Sequence, residues 1–223
     1  MAYEEEASSA LIAYETAMDV SISGIPLARA EQTRYRAQGA HDPTSTHYFV
    51  LDHLFRYYSF CSVSHLLDVG CGTGRVLAYF LHQGFPGKVT GVELDSELAE
   101  VAQSWTLGHN KARVLVGDVL NLDLSEYTDF YLYNPFDSDV LQQFIAAVEH
   151  QVKRPCTVIH MSDNGETWWY TGRRGWDVRA SGEFSTYRNA QGDVVWAFDH
   201  PQHYTVWRYA GSSDMLNAHE GDA

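Results

Sequence analysis

Leu67-Asp68-Val69-Gly70-Cys71-Gly72-Thr73-Gly74-Arg75 is the stretch on which the reading of this chain turns. An apolar run, His65-Leu66-Leu67-Asp68-Val69, leads into it, and the helical pattern Arg75-Val76-Leu77-Ala78-Tyr79-Phe80-Leu81 leads out. A glycine loop between a strand and a helix lets backbone approach a ligand closely, and the helix behind it offers free N–H groups and a partial positive end. Asp68, at the strand end, can accept hydrogen bonds from an amine or from the loop.

Downstream the same alternation repeats. The helix stops at Gly84-Phe85-Pro86-Gly87, and Lys88-Val89-Thr90-Gly91-Val92 reads as a second strand. Asp95 or Ser96 caps a helix carrying Leu98, Val101 and Ala102. Arg113–Val116 and Asp129–Tyr133 are the third and fourth strands, and Cys156–His160 is the fifth. Between the last two, Ser138 can cap a helix with Val140, Leu141, Phe144, Ile145 and Val148 on one face. Strands alternating with helices imply parallel pairing through right-handed crossovers, hence a doubly wound, mostly parallel α/β sheet. Val194–Phe198 and His203–Tyr209 read as an antiparallel strand pair completing that sheet.

Ahead of the loop, Ser8 or Ser9 could start a helix with Leu11, Ile12, Glu15 and Met18, ended by Gly24 and Pro26. A second helix would carry Tyr48, Leu51, Leu54, Phe55 and Tyr58. The expected organisation is a helical cap or lid over residues 1–60, a catalytic domain over 61–212, and a flexible tail over 213–223.

In a doubly wound sheet ligands collect at the carboxyl ends of the strands, near the reversal of strand order. Glu93 ends the second strand, where a carboxylate can take both hydroxyls of a ribose, and Leu94 follows it. Asp118-Val119 follows the third strand and Asn134-Pro135-Phe136 the fourth. Each has a plain structural alternative: a solvated charge for Glu93, a turn for Asp118, a local hydrogen bond for Asn134. Four polar strand ends beside one glycine loop favour a common crevice.

Asp68-x-Gly70-x-Gly72-x-Gly74 with Glu93 ending the next strand resembles the class I methyltransferases that use S-adenosylmethionine. The similarity spans roughly residues 60–160. It implies that Gly70, Cys71, Gly72 and Gly74 pass beneath the methionine part of the cofactor, with Asp68 near its amino group. It also implies that Glu93 holds the ribose, with Leu94 next to it, and that Asp118 meets the adenine amino group with Val119 beside the ring. A nicotinamide dinucleotide fits less well, because Arg75 falls where its fingerprint wants a third glycine.

The methyl acceptor is less legible. Amine-directed members carry Asn-Pro-Pro and an aromatic residue after the fourth strand; this chain has Asn134-Pro135-Phe136, with one proline and the ring a position early. The similarity tilts the acceptor slightly toward nitrogen, with Asn134 and Phe136 as candidate catalytic residues and Asn134 also beside the cofactor. His160, His200 and His203 are candidate bases, of which His160 is preferred. Trp168-Trp169-Tyr170 could line an acceptor pocket or belong to the core.

The 223 residues carry 15 Lys plus Arg against 29 Asp plus Glu, a net charge of −14. Basic residues cluster only as the doublets Lys153-Arg154 and Arg173-Arg174, which disfavours a nucleic-acid substrate. A small-molecule or protein acceptor is expected instead. The three cysteines include no close pair and suggest a reducing compartment. An acidic start at Met1-Ala2-Tyr3-Glu4-Glu5-Glu6 and the lack of a long apolar run point to a cytoplasmic protein without membrane contact. No metal pattern is visible. The alternatives are a non-catalytic protein that binds S-adenosylmethionine or S-adenosylhomocysteine and, more remotely, a nicotinamide-dependent oxidoreductase.

Overall fold

A computed structural model describes residues 2–29, 31–188, 192 and 194–213. Five strands form its parallel body: β1 (His65–Val69), β2 (Lys88–Glu93), β3 (Ala112–Val116), β4 (Asp129–Tyr133) and β5 (Cys156–Met161). With β6 (Trp176–Phe184) and β9 (Gln202–Tyr209) they make a seven-stranded sheet in the order β3-β2-β1-β4-β5-β9-β6. The order reverses between β1 and β4, so the crevice for a ligand opens beyond Val69 and Tyr133.

Period-two alternation sends neighbouring side chains to opposite faces. Leu66, Val89, Tyr131 and Ile159 pack on one side with α2 (Tyr48–Leu54) and α3 (Arg75–His82). Leu67, Val69, Phe130, Leu132 and Val158 pack on the other with α5 (Ser138–Gln151). Both faces are covered, as a parallel sheet requires. α4 (Ser96–Thr106) joins β2 to β3 and starts at Asp95, whose side chain accepts the Glu97 amide at 2.9 Å. α5 is capped by Asp137, one residue ahead of the expected Ser138; the Asp137 carboxylate takes the Val140 amide.

The C-terminal pairing differs from expectation. β9 does not form a hairpin with β8 (Val194–Trp196). It inserts between β5 and β6, antiparallel to both, while β8 pairs with β7 (Thr186–Arg188) in a separate two-stranded sheet. β9 can sit inside the sheet because it feeds both faces, Tyr204 and Val206 to one and Trp207 and Tyr209 to the other. β6 escapes a sequence reading because it is an edge strand with mostly exposed or half-buried side chains and a bulge between Val178 and Ala180.

The first helix, α1 (Ala2–Ser23), begins six residues before Ser8 and so owes nothing to a cap at Ser8 or Ser9. It turns Leu11, Glu15 and Asp19 inward and leaves Ile12 62% exposed. The expected tail falls almost wholly outside the described residues. No helix among them is long and apolar enough to cross a membrane.

Candidate functional site

The glycine loop turns by placing Gly70, Gly72 and Gly74 at φ of +73°, +53° and +94°. At Gly70 the need is also spatial, since a Cβ there would lie 2.8 Å from the Cβ of Pro135. At Gly72 nothing lies within 4 Å, so its missing side chain leaves open space. The amides of Gly70 and Cys71 both donate to the Val92 carbonyl, at 2.9 and 3.0 Å, which ties the loop to the end of β2. The Cys71 thiol is buried and turns to the core, against Gly91; a Cβ on Gly91 would meet its sulfur at 2.5 Å. Burial raises that thiol well above the usual range, so it is inert.

Glu93 locks the loop from the other side. Its Oε2 accepts the Gly72 amide at 2.7 Å and its Oε1 the Asp95 amide at 2.9 Å. Burial nevertheless raises its pKa above the ordinary glutamate value, against the pull of those amides. Asp68 is more extreme. It is 3% exposed, its Oδ2 is buried without a hydrogen-bond partner, and burial with the nearby Glu93 charge drives its pKa well upward.

A crevice of about 280 Å³ opens at these strand ends. Its walls include Gly70, Glu93, Leu94, Asp118, Val119 and Phe136. A smaller recess lined by Asp68, Cys71, Gly72 and Tyr131 shares Gly70, Leu98 and Tyr133 with it, so the two are continuous. Asp118 sits at the rim as the cap of a 3-10 turn over Val119–Asn121, with Oδ1 accepting the Leu120 amide at 2.9 Å. Among the described residues its second oxygen has no hydrogen-bond partner.

The remaining wall is a strap, residues 31–44, with Tyr35, His41 and Asp42 on the crevice. Arg34 fixes one end, pairing with Asp95 at 2.7 Å and Glu97 at 2.8 Å. The other end docks on the segment after β4: the His41 amide donates to Pro135 O at 3.0 Å, Asp137 N to Gly39 O at 2.8 Å, and Ala40 bridges Phe136. The sequence does not reveal Arg34 or His41, because the strap has no periodicity and its partners are remote in sequence.

Asn134 holds a positive φ of 40°, uncommon for a side-chain-bearing residue, and its buried Oδ1 lacks a partner. Its carbonyl takes the His41 Nδ1 at 2.8 Å. Phe136 packs its ring against Phe144 while reaching the crevice wall. His160 is not brought there. It is 1% exposed beside Tyr170, and burial pushes its pKa down to about 4. His203 bonds the buried Asp163 at 2.9 Å. Trp168 stacks on Trp169 at 4.1 Å and Tyr170 on Trp207 at 5.0 Å, and none of the three lines the crevice. Tyr48 is buried as well, its hydroxyl donating to Asp19. Among the described residues no cluster of three His, Cys, Asp or Glu side chains could hold a metal.

Comparison with known proteins agrees with this geometry. Residues 66–154 match a family model described as a methyltransferase domain. No curated protein sequence matches the chain. Among solved structures, an RNA methyltransferase from Salinibacter ruber in complex with S-adenosyl-L-homocysteine superposes with a TM-score of 0.53 at 19% identity, covering 75% of this chain and 94% of that one. A Pyrococcus horikoshii protein provisionally named an RNA methyltransferase gives 0.59 at 16% identity, covering 87% and 97%. An O-methyltransferase segment of StiE gives 0.55 at 11%, covering 79% and 80%. Residues 66–154 therefore carry a methyltransferase domain, and the solved structures share its fold. S-adenosylmethionine is the cofactor of that domain, and the enzyme class is that of a methyltransferase dependent on it.

Proposed function

We propose that this enzyme transfers the methyl group of S-adenosylmethionine to a small molecule or a protein side chain, and that the continuous crevice is where it does so. The observation that carries the assignment is Asp68 Oδ2, a buried carboxylate oxygen with no partner at the base of the glycine loop. A buried carboxyl oxygen without a partner calls for a donor, and a cationic one also draws the group to its ionised form; the α-ammonium of the cofactor's methionine is one. Gly70, Cys71 and Gly72 offer backbone rather than side chain to that end of the ligand, whereas Gly74 lines neither recess and its bare Cα packs against Trp105. Glu93, already holding two amides, retains lone pairs for the ribose hydroxyls. Asp118 keeps one oxygen for the adenine amino group, and Leu94 and Val119 flank the ring.

When bound, S-adenosylmethionine supplies a methyl carbon activated by its sulfonium. The chain's own contribution is alignment and exclusion of water, through the strap and the strand ends. Asn134 lines neither the crevice nor its recess, so the slight preference for nitrogen rests on the resemblance of Asn134-Pro135-Phe136 and does not exclude oxygen. Phe136 offers an apolar flank. The net charge of −14 supports a small-molecule or protein acceptor over nucleic acid, although two of the structural neighbours carry RNA methyltransferase names. Residues 31–44 act as the cover, with α1 and α2 as its fixed support.

Calorimetric titration with S-adenosylhomocysteine, with NADH as control, tests the reading. One-to-one binding of the first alone is expected; binding of NADH alone would replace the methyltransferase with an oxidoreductase. Labelled donor incubated with fractionated cell extract then separates the acceptor classes. Label recovered in RNA would overturn the acceptor assignment, and cofactor binding without transfer to any fraction would leave the non-catalytic reading.

A further inference from the structure

Building on the methyltransferase reading, we infer that His41 is the general base of this site, and that the acceptor is therefore a nucleophile that loses a proton on methylation, a hydroxyl or an amine. The argument begins with the tautomer. His41 Nδ1 lies 2.8 Å from the carbonyl oxygen of Asn134, and a carbonyl oxygen only accepts, so Nδ1 carries the proton. In the neutral ring the lone pair is then on Nε2. Among the described residues Nε2 has no hydrogen-bond partner, and the ring stands on the crevice wall.

The ring is also held in place. The His41 amide donates to Pro135 O at 3.0 Å, so main chain and side chain grip two successive carbonyls after β4. A base oriented by a second hydrogen bond on its other nitrogen, at the mouth of a ligand crevice, is the arrangement that general-base catalysis requires. His160 lacks it: that ring is enclosed in the core and lines neither the crevice nor its recess.

The step balances. The acceptor oxygen or nitrogen forms a bond to the methyl carbon while the carbon–sulfur bond breaks, and that bond's electron pair stays on sulfur, leaving S-adenosylhomocysteine. The acceptor's proton passes to His41 Nε2 and from there to water at the open rim. The uncharged thioether left on sulfur and the imidazolium formed on His41 together account for the positive charge that entered on the sulfonium.

The test uses the whole protein labelled with ¹⁵N-histidine and saturated with S-adenosylhomocysteine. Long-range proton–nitrogen spectra report which ring nitrogen is protonated, and the His41 signals are those missing from His41→Gln. A proton on Nδ1 with Nε2 bare is expected, together with a fall of about a hundredfold to ten-thousandfold in label transferred from S-adenosylmethionine into cell extract by His41→Gln. Affinity of that variant for S-adenosylhomocysteine should stay within about threefold. A proton on Nε2 instead, or transfer by His41→Gln within about threefold of the unaltered protein, overturns the base while leaving the methyltransferase standing. Failure of the unaltered protein to bind S-adenosylhomocysteine overturns the methyltransferase reading first.

Discussion

Gly70 and Pro135 meet across the point where the strand order reverses, so closely that a single added carbon on Gly70 would sit 2.8 Å from the proline Cβ. The loop after β1 and the segment after β4 therefore set each other's position, and the crevice is shaped by that contact. Gly72, two residues on, faces open space in the recess beside Asp68.

The contrast separates two substitutions. Gly70→Ala combines left-handed backbone strain of about 1–2 kcal/mol with overpacking of about 1–3 kcal/mol, and should lower stability in denaturant unfolding. Gly72→Ala carries only the strain, so the protein stays more stable than Gly70→Ala, yet its methyl projects into the ligand space. Its affinity for S-adenosylhomocysteine should fall at least about tenfold, one RT-scaled step of 1.4 kcal/mol. Equal stability of the two variants, measured by urea titration, would show that Pro135 yields.

Asp68 gives a pH dependence with a definite sign. Its pKa is raised by burial and by Glu93, so the folded state binds its proton more tightly than the unfolded chain does. Stability from this group is then fullest below the ordinary aspartate value near ~3.9 and is lost as pH rises toward the raised folded value. Asp68→Asn removes that loss. It should be more stable than the parent at pH 8, by about 1–3 kcal/mol for removal of a buried charge, and bind S-adenosylhomocysteine more weakly. Thermal melts at pH 5 and pH 8 decide it: the gain should shrink at the lower pH.

Glu93 serves the loop and, in the proposed function, the ribose. Glu93→Ala frees the Gly72 and Asp95 amides and should weaken S-adenosylhomocysteine binding by about 1.5–3 kcal/mol, the range for hydrogen bonds to a charged group. Calorimetry on adenosine alone, which keeps the ribose, should show a loss of similar size. If adenosine binding were unaffected, Glu93 would be a loop anchor only.

The parallel body of the fold is written in local signals. Apolar runs that end in glycine, proline or a capping aspartate fix β1 to β5 within a residue or so; β1, β2, β4 and β5 are buried on both faces and their composition shows it, while β3 is an edge strand bounded by turn residues. The places of Asp68, Glu93 and Asp118 in the fold are legible for the same reason, since each lies within, at or just beyond the end of such a run. What was not legible depends on partners far along the chain. Arg75 looks like a surface residue at a helix start, and Glu15 and Asp19 look like the polar face of α1; together they form a buried cluster that no period reveals. The position of β9 between β5 and β6, and of His41 against Asn134, likewise follow from pairing across the fold and not from any local pattern.

That cluster also bears on whether the N-terminal segment moves. Arg75 Nε and Nη2 donate to the two oxygens of Asp19 at 3.0 and 2.7 Å, and Nη1 donates to Glu15 at 2.9 Å. Asp19 is fully buried and also takes the Tyr48 hydroxyl and the Leu27 amide. Thr73, within the glycine loop, donates to the Leu27 carbonyl. α1 is thus joined to the helix that begins at the loop. Removing one partner of a buried pair strands the other charge, which costs about 3–5 kcal/mol, whereas replacing both with apolar residues is often near neutral. Asp19→Ala should therefore unfold at markedly lower urea concentration, and Asp19→Leu with Arg75→Met and Glu15→Gln, which leaves no member of the cluster charged, should recover part of the loss. A hinged lid would behave differently: Asp19→Ala would leave the main transition in place and release α1 alone, visible as a separate early phase in the unfolding curve. A single cooperative transition in both variants is the outcome that this network predicts.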